Sequence, residues 1–240
     1  MLWVGIGLVL VVIVLVGYWL LVTTEGVYLG PRVVTLLYDW TAERYDDIKQ
    51  LNYIDEAGRL GIPLARRLQA VRSPRVLDVA TGTGRLPLAL MRQFQFHGTV
   101  VGIDRSRGML CEAEDAVAVY DDRISLLQED AEALSFPDAC FDCVTCLEAL
   151  EFMPNSPAAI QEMLRVLKPG GVMLVSNRVG KDAWFFPGQL CGRGQVEDYL
   201  RELGLGGVRR ELWQVHYDLI WARKDGELDP RDGSRSVQMC

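Results

Sequence analysis

The sequence predicts an α/β fold: a doubly wound parallel sheet ending in a C-terminal antiparallel hairpin and preceded by one transmembrane helix. Three observations predict it. Residues 1–24 hold no Asp, Glu, Lys, Arg or His, and the first charge is Glu25. Beyond Ser73-Pro74, short apolar runs alternate with amphipathic stretches, as strands alternate with helices in such a sheet. Near the end, two further strand-like runs lie close enough to pair with each other.

The opening run, Leu2 to Val22, has no charge in 21 residues. As a helix at about 1.5 Å per residue it spans roughly 30 Å, the hydrocarbon thickness of a bilayer. Trp3 near one end and Tyr18-Trp19 near the other fit interfacial aromatic belts. A cleaved signal peptide fits less well, because no Lys or Arg precedes the run, the run is too long, and Val22-Thr23-Thr24-Glu25 offers no small-x-small site. A buried helix would be apolar on one face rather than all round. This run explains how a chain with 24% charged residues has a mean hydropathy of +0.11. Arg32 and Arg44 follow it, so the positive-inside rule predicts a single-pass protein of the cell membrane with its C-terminal domain in the cytosol.

The predicted organisation is an anchor over 1–24, a helical segment over 25–72, one domain over 73–224 and a flexible tail over 225–240. Pro31 and Pro63 stand where helices start. The strand runs are Val76–Ala80, Thr99–Ile103, Ile124–Leu127, Cys143–Leu147 and Val172–Val175. Helix candidates between them are Arg85–Phe94, Arg107–Tyr120 and Ala158–Leu167, followed by Gln195–Leu203. Val208–Val215 and Tyr217–Arg223 form the predicted hairpin. The polar tail from Asp225 contains Pro and Gly and is expected to fray.

Composition narrows the function. A net charge of −7 without a Lys/Arg block argues against a nucleic-acid partner, which needs a basic face. A hydrophobic content of 50% and only six cysteines exclude disordered, fibrous and disulfide-scaffold classes.

The chemistry starts at Val76-Leu77-Asp78-Val79-Ala80-Thr81-Gly82-Thr83-Gly84, a strand entering a Gly-rich turn before a helix. Such a turn lets backbone approach a ligand, and the helix N-terminus favours an anion. The nicotinamide-dinucleotide version needs a third glycine, which Arg85-Leu86-Pro87 do not supply. A second strand, Val100-Val101-Gly102-Ile103-Asp104, ends in an acid about 20 residues further on, where a carboxylate accepts ribose hydroxyls. Glu129-Asp130-Ala131-Glu132 follows the third strand, and Leu164-Arg165-Val166-Leu167-Lys168-Pro169-Gly170-Gly171 turns a helix into the fifth.

Together these residues resemble the class I S-adenosylmethionine-dependent methyltransferases, especially the branch acting on quinones and other small lipophilic molecules. The motifs D-x-x-T-G-T-G, G-I-D-x-S-x-x-M-L, E-D-A-E-x-L-x-F-P-D and L-K-P-G-G occur in the family's order, within a resemblance running from about Tyr38 to Lys224. The resemblance implies a seven-stranded Rossmann-like sheet and S-adenosylmethionine as cofactor. It implies that Asp78, Thr81, Gly82, Thr83 and Gly84 shape the methionine pocket, with Asp78 positioning the loop or the ammonium. Asp104, with Arg105 beside it, would hold the ribose. Met109 would pack on the adenine, and Asp130 and the Ala131 N–H would read its edge. Cys146 would lie beside the methionine moiety, and Tyr45, in a Y-D-x-x-A-x-x-Y-D-like stretch from Tyr38, would cover the cofactor.

Cys146-Leu147-Glu148-Ala149-Leu150-Glu151-Phe152-Met153-Pro154-Asn155 is similar to the C-x-E-x-L-E-H-V-P-D stretch of quinone-type relatives. Phe152 stands where that stretch has histidine, and neither His97 nor His216 lies in a matched motif. Glu148 and Glu151 are therefore the candidates for proton removal, although three apart they also suit a solvated helix start. Cys140, Cys143 and Cys146 at spacings of three alternate across a strand, which argues against one shared metal. Trp184-Phe185-Phe186, in a loop bounded by Gly and Pro, suits an apolar acceptor pocket or contact with the bilayer. The predicted function is membrane-anchored methyl transfer to a small lipophilic acceptor, quinone- or lipid-like, with residues 2–22 in the bilayer. The alternatives are a soluble acceptor, a cofactor-binding but inactive scaffold or sensor, and a nicotinamide-dependent oxidoreductase.

Overall fold

The computed structural model describes residues 2–120 and 122–226. The tail assigned to 225–240 falls, beyond Gly226, outside the described residues. Helix α1 (Leu2–Tyr18) runs on through a wider π turn at Trp19–Thr23. The segment Trp3–Thr23 has a mean hydropathy of 2.8 and none of it is buried in the protein; by length and composition it can cross a membrane.

The helical segment that follows is broken rather than continuous: α2 (Pro31–Thr41), α3 (Tyr45–Lys49), α4 (Tyr53–Glu56) and α5 (Ile62–Leu68). Pro31 opens α2 and Pro63 lies in the first turn of α5, as their missing N–H groups permit. The main break falls at Gln50, whose left-handed φ of 51° ends α3, before Asn52 caps α4 by accepting from Ile54 N at 3.1 Å.

The domain alternates as expected: β1 (Arg75–Val79), α6 (Arg85–Met91), β2 (Thr99–Asp104), α7 (Arg107–Val117), β3 (Ile124–Gln128), β4 (Phe141–Cys146), α8 (Ser156–Val166), β5 (Leu167–Arg178), α9 (Gln195–Glu202), β6 (Leu205–Leu212) and β7 (Tyr217–Lys224). The strands form one seven-stranded sheet in the order β3-β2-β1-β4-β5-β7-β6. β1 to β5 pair in parallel, and β7 runs antiparallel to both β5 and β6, which confirms the Rossmann-like sheet and its terminal hairpin.

β5 begins earlier than its apolar run indicates. Leu167 pairs with Phe141 and Val172 with Cys143, so Pro169-Gly170-Gly171, expected as a turn, are absorbed as a bulge within the strand. Strand alternation splits the core between the two sheet faces. Leu77, Val144 and Cys146 pack with α8 and α9 residues, whereas Val76, Cys143 and Leu174 pack with residues of α5 and α6. Cys143 and Cys146 thus lie on opposite faces, as small buried residues.

Strand order reverses between β1 and β4. In such sheets the crevice outside the C-terminal strand ends at that point is where ligands bind.

Candidate active site

A cleft open to solvent lies at this switch point. β1 leads into it through Ala80, held at φ 56°, and Gly82, at φ 55°. A Cβ on Gly82 would meet no protein atom within 4 Å, so this glycine presents bare backbone to the cleft it lines. The loop is tied to the end of β2. Thr81 N donates to Ile103 O at 2.9 Å, and Gly82 N donates to Asp104 Oδ2 at 2.9 Å.

Asp104 accepts with both oxygens, the second from Ser106 N at 2.9 Å. Burial raises its pKa, against the lowering effect of the Ser106 and Gly82 N–H groups. Ser106 caps α7 by accepting from Met109 N at 3.1 Å, which sets the buried Met109 against the cleft. Asp39 of α2 accepts from Ser106 Oγ at 2.5 Å and from Gly108 N at 2.8 Å, holding α2 across the site. Beyond β3, Asp130 and Ala131 line the same cleft, with Asp130 in an exposed pair with Arg105 at 3.2 Å.

Of the sequence-predicted cofactor residues, Tyr45, Gly82, Asp104, Arg105, Met109, Asp130 and Ala131 meet on this cleft. Asp78, Thr81, Thr83, Gly84 and Cys146 do not line it. Asp78 is buried beneath the loop, where it accepts from Thr145 Oγ1 at 2.6 Å, and the Thr83 hydroxyl donates to Asp46 at 2.6 Å. Cys146 is fully buried at the end of β4.

The donor set fits an adenosyl group. Two carboxylates, Asp104 and Asp130, face a slot walled by Ile103, Met109 and Ala131, beside the side-chain-free approach at Gly82. Hydroxyls and an exocyclic amine suit the carboxylates, and a purine face suits the apolar wall.

The two acidic candidates part company. Glu148 lines the cleft, with a left-handed φ of 51°, but its carboxylate is held by three donors, two of them cationic. It pairs with Arg85 at 2.7 Å and Lys49 at 3.1 Å, and accepts from Gln214 at 2.9 Å. Burial raises its pKa, but Arg85 and Lys49 outweigh burial and leave it lowered, so Glu148 is a weaker base than a free carboxylate. Glu151 is buried away from the cleft, bonded to the Tyr217 hydroxyl and paired with Arg178 at 3.3 Å. Burial raises its pKa, opposed by Arg178 and Tyr217. Phe152 does line the cleft, edge-on to Tyr38 at 6.1 Å. Among the described residues, no group of three His, Cys, Asp or Glu side chains is placed to hold a metal.

Asp78 carries a pH signature. Burial, partly offset by the Thr145 and Thr81 hydroxyls, raises its pKa to about 6, against about 3.9 in an unfolded chain. A folded-state pKa raised in this way means stability is greatest below the unfolded value and falls as pH climbs through the folded one. The loss from this one group amounts to about 3 kcal/mol by pH 7. Asp78→Asn, which still accepts from Thr145, is expected to gain on the wild type by about 2–3 kcal/mol between pH 4.5 and 7.5. Urea unfolding of both chains in detergent micelles measures it; a constant difference across that range would refute it.

Comparison with known proteins agrees with this fold. A family profile for methyltransferase domains matches residues 76–171. The ubiquinone/menaquinone biosynthesis C-methyltransferase UbiE of Geobacter sulfurreducens is 37% identical over 144 residues, 59% of this chain and 56% of the relative. The demethylmenaquinone methyltransferase of Symbiobacterium thermophilum is 36% identical over 142 residues, 58% of this chain and 57% of the relative. The chain thus spans just over half the length of these curated relatives. Among solved structures, a SAM-dependent methyltransferase from Aquifex aeolicus superposes with a TM-score of 0.57 at 19% identity, covering 68% of this chain and 88% of its own. The [4+2]-cyclase SpnF superposes at 0.60 and 24% identity, covering 70% and 80%. These likenesses establish the fold, and a cyclase among them shows that the fold alone does not fix the chemistry. Fold and family profile agree over residues 76–171, the stretch that matches the methyltransferase-domain profile within the Rossmann-like sheet.

Proposed function

We propose that the protein transfers a methyl group to a small lipophilic acceptor, quinone- or lipid-like, while held at the cytosolic face of the cell membrane by its first 24 residues. The observation that carries this reading is the composition of the cleft. Its carboxylates, Asp104 and Asp130, suit a cofactor, while Val34, Tyr38, Phe152 and Met153 line it with apolar surface suited to a lipophilic acceptor. The named activities of the two curated relatives support the acceptor class, and the apolar helix Trp3–Thr23 supports the location.

S-adenosylmethionine supplies an electrophilic methyl group on a sulfonium. The chain's own part is to orient and to exclude water. Asp104 and Asp130 would anchor the nucleoside, Met109 would support its base, Tyr45 would cover it, and Asp78 would stiffen the loop from beneath. Alignment of this kind is the larger share of catalysis for an in-line displacement. Glu148, already neutralised by Arg85 and Lys49, would shape the wall rather than remove a proton.

A second reading, a cofactor-binding but inactive membrane scaffold or sensor, is favoured by one observation: neither Glu148 nor Glu151 offers a free carboxylate to the cleft. One experiment separates the two. The full chain in lipid nanodiscs is incubated with methyl-labelled S-adenosylmethionine and a total lipid extract, and organic-phase label is counted. Label in that phase is expected. Its absence from a chain that still binds S-adenosylhomocysteine would overturn the lipophilic acceptor, and the same chain leaving a cytosolic extract unlabelled as well would favour the scaffold reading.

A further inference from the structure

The turn at Lys181–Phe185 and the residue after it divide three consecutive aromatics between two sides. Phe186 is 1% exposed and packs edge-on to Phe152 of the cleft wall at 5.5 Å. Trp184 is 83% exposed and Phe185 39%, although both are apolar and nothing in the cleft needs them outside. The same turn is bonded to the end of the apolar N-terminal helix. The Tyr28 hydroxyl donates to Phe185 O at 2.9 Å, and the Tyr28 ring stacks on Trp19 at 5.3 Å, 14° from parallel. Trp19 begins the last turn of the apolar segment, the depth at which amphipathic aromatics sit between hydrocarbon and headgroups.

The join between that helix and the domain has no slack. Thr24, fully buried, donates through its N–H to Trp19 O and through its hydroxyl to Leu20 O, both at 3.0 Å. Gly26 N donates to Leu20 O at 2.9 Å. Gly26 has φ 77°, and a Cβ there would stand 3.0 Å from Val33 and 3.1 Å from Leu37, so α2 closes directly onto the helix end. Glu25 reaches forward to accept from the Tyr38 hydroxyl at 2.6 Å. A rigid join fixes the height of the 181–186 turn relative to Trp19.

We propose that Trp184 and Phe185 insert into the interfacial layer of the leaflet in which Trp3–Thr23 ends, as a second membrane contact that sets the orientation of the domain. The inference rests on the reading of that helix as membrane-spanning. Trp184 has the rigid, amphipathic ring that partitions to this layer, and the exposed Lys181 in the same turn offers its charge to anionic headgroups. With the turn seated there, the Phe186–Phe152 contact brings the apolar wall of the cleft beside the lipid from which an acceptor would come.

The test is depth-resolved quenching in the full chain. Trp3, Trp19 and Trp40 are replaced by Phe, which leaves Trp184 and the buried Trp213 and Trp221 of the chain's six tryptophans. The protein is reconstituted into phosphatidylcholine/phosphatidylglycerol vesicles with bromines placed shallow or deep on the acyl chains. Shallow bromines are expected to quench more than deep ones, and Trp184→Phe to remove more than about half of the shallow effect. Flotation with the vesicles but no Trp184-dependent quenching would overturn this inference and leave the spanning helix standing. Failure to float would overturn both. If the triple background fails to fold, the wild type is compared with Trp184→Phe alone: a shallow-bromine component that disappears with Trp184 is expected, and its absence would overturn the inference.

Discussion

Replacing Asp104 by alanine is expected to weaken S-adenosylhomocysteine binding at least a hundredfold. The carboxylate lines the cleft with each oxygen already braced by one backbone N–H, from Gly82 and Ser106. Each oxygen keeps capacity for a further hydrogen bond, and an ionised acceptor gives the stronger kind. Two such bonds to a ribose at about 1.5–3 kcal/mol each exceed the 2.7 kcal/mol or so that a hundredfold requires. Calorimetric titration of the full chain in micelles measures the loss, and unchanged affinity in a folded variant would remove Asp104 from the cofactor site. Because burial raises the Asp104 pKa, binding by the wild type is also expected to fade on acidification sooner than an ordinary carboxylate would dictate. Asp104→Asn, which keeps an acceptor for one brace, is expected to lose affinity without that acid-side decline.

The second large effect falls on Arg85. Its guanidinium bridges Glu148 at 2.7 Å and Glu56 at 3.0 Å, with 11% of its side chain exposed and 5% and 9% of theirs, and it stacks over Trp213 at 4.6 Å. Arg85→Ala leaves two buried carboxylates short of their counter-charge, an error that costs about 3–5 kcal/mol. For a domain of this size the melting temperature is expected to fall by about 10 °C. Arg85→Met combined with Glu56→Gln and Glu148→Gln removes the charges together and is expected to recover most of that loss. Arg201→Ala, breaking an exposed pair with Asp198, serves as the control at under about 0.5 kcal/mol. Equal melting shifts for Arg85→Ala and Arg201→Ala would show the buried network to be energetically idle.

The contrast between Glu148 and Glu151 shows where the sequence stopped being legible. Three apart, they would share one side of an α-helix. The chain instead turns left-handed at Glu148 and enters a short 3-10 turn only at Leu150–Phe152, so the two carboxylates diverge, one to the cleft and one to Tyr217. The partners of Glu148 lie far away in sequence, at Lys49, Arg85 and Gln214, and ion pairs leave no periodic trace. The role of Asp39 was hidden for the same reason, since its partners Ser106 and Gly108 follow 67 and 69 residues later. By contrast Gly82, Asp104, Met109 and Asp130 were legible because backbone geometry ties each to a strand end, and strand ends follow from apolar runs. The extra length of β5 was masked by Pro169-Gly170-Gly171, residues that signal a turn and here build a bulge.

Ser106 has a consequence for how the chain divides. Its N–H is bonded to Asp104 and its hydroxyl to Asp39, so α2 and the floor of the cleft share a single residue. From α2, Tyr38 reaches Glu25, and the next residues, Thr24 and Gly26, are bonded back onto Trp19 and Leu20. The apolar helix, the helical segment and the sheet domain are therefore separate stretches of sequence but one mechanical linkage. A load applied where the apolar helix ends is carried, bond by bond, to the carboxylate at the tip of β2.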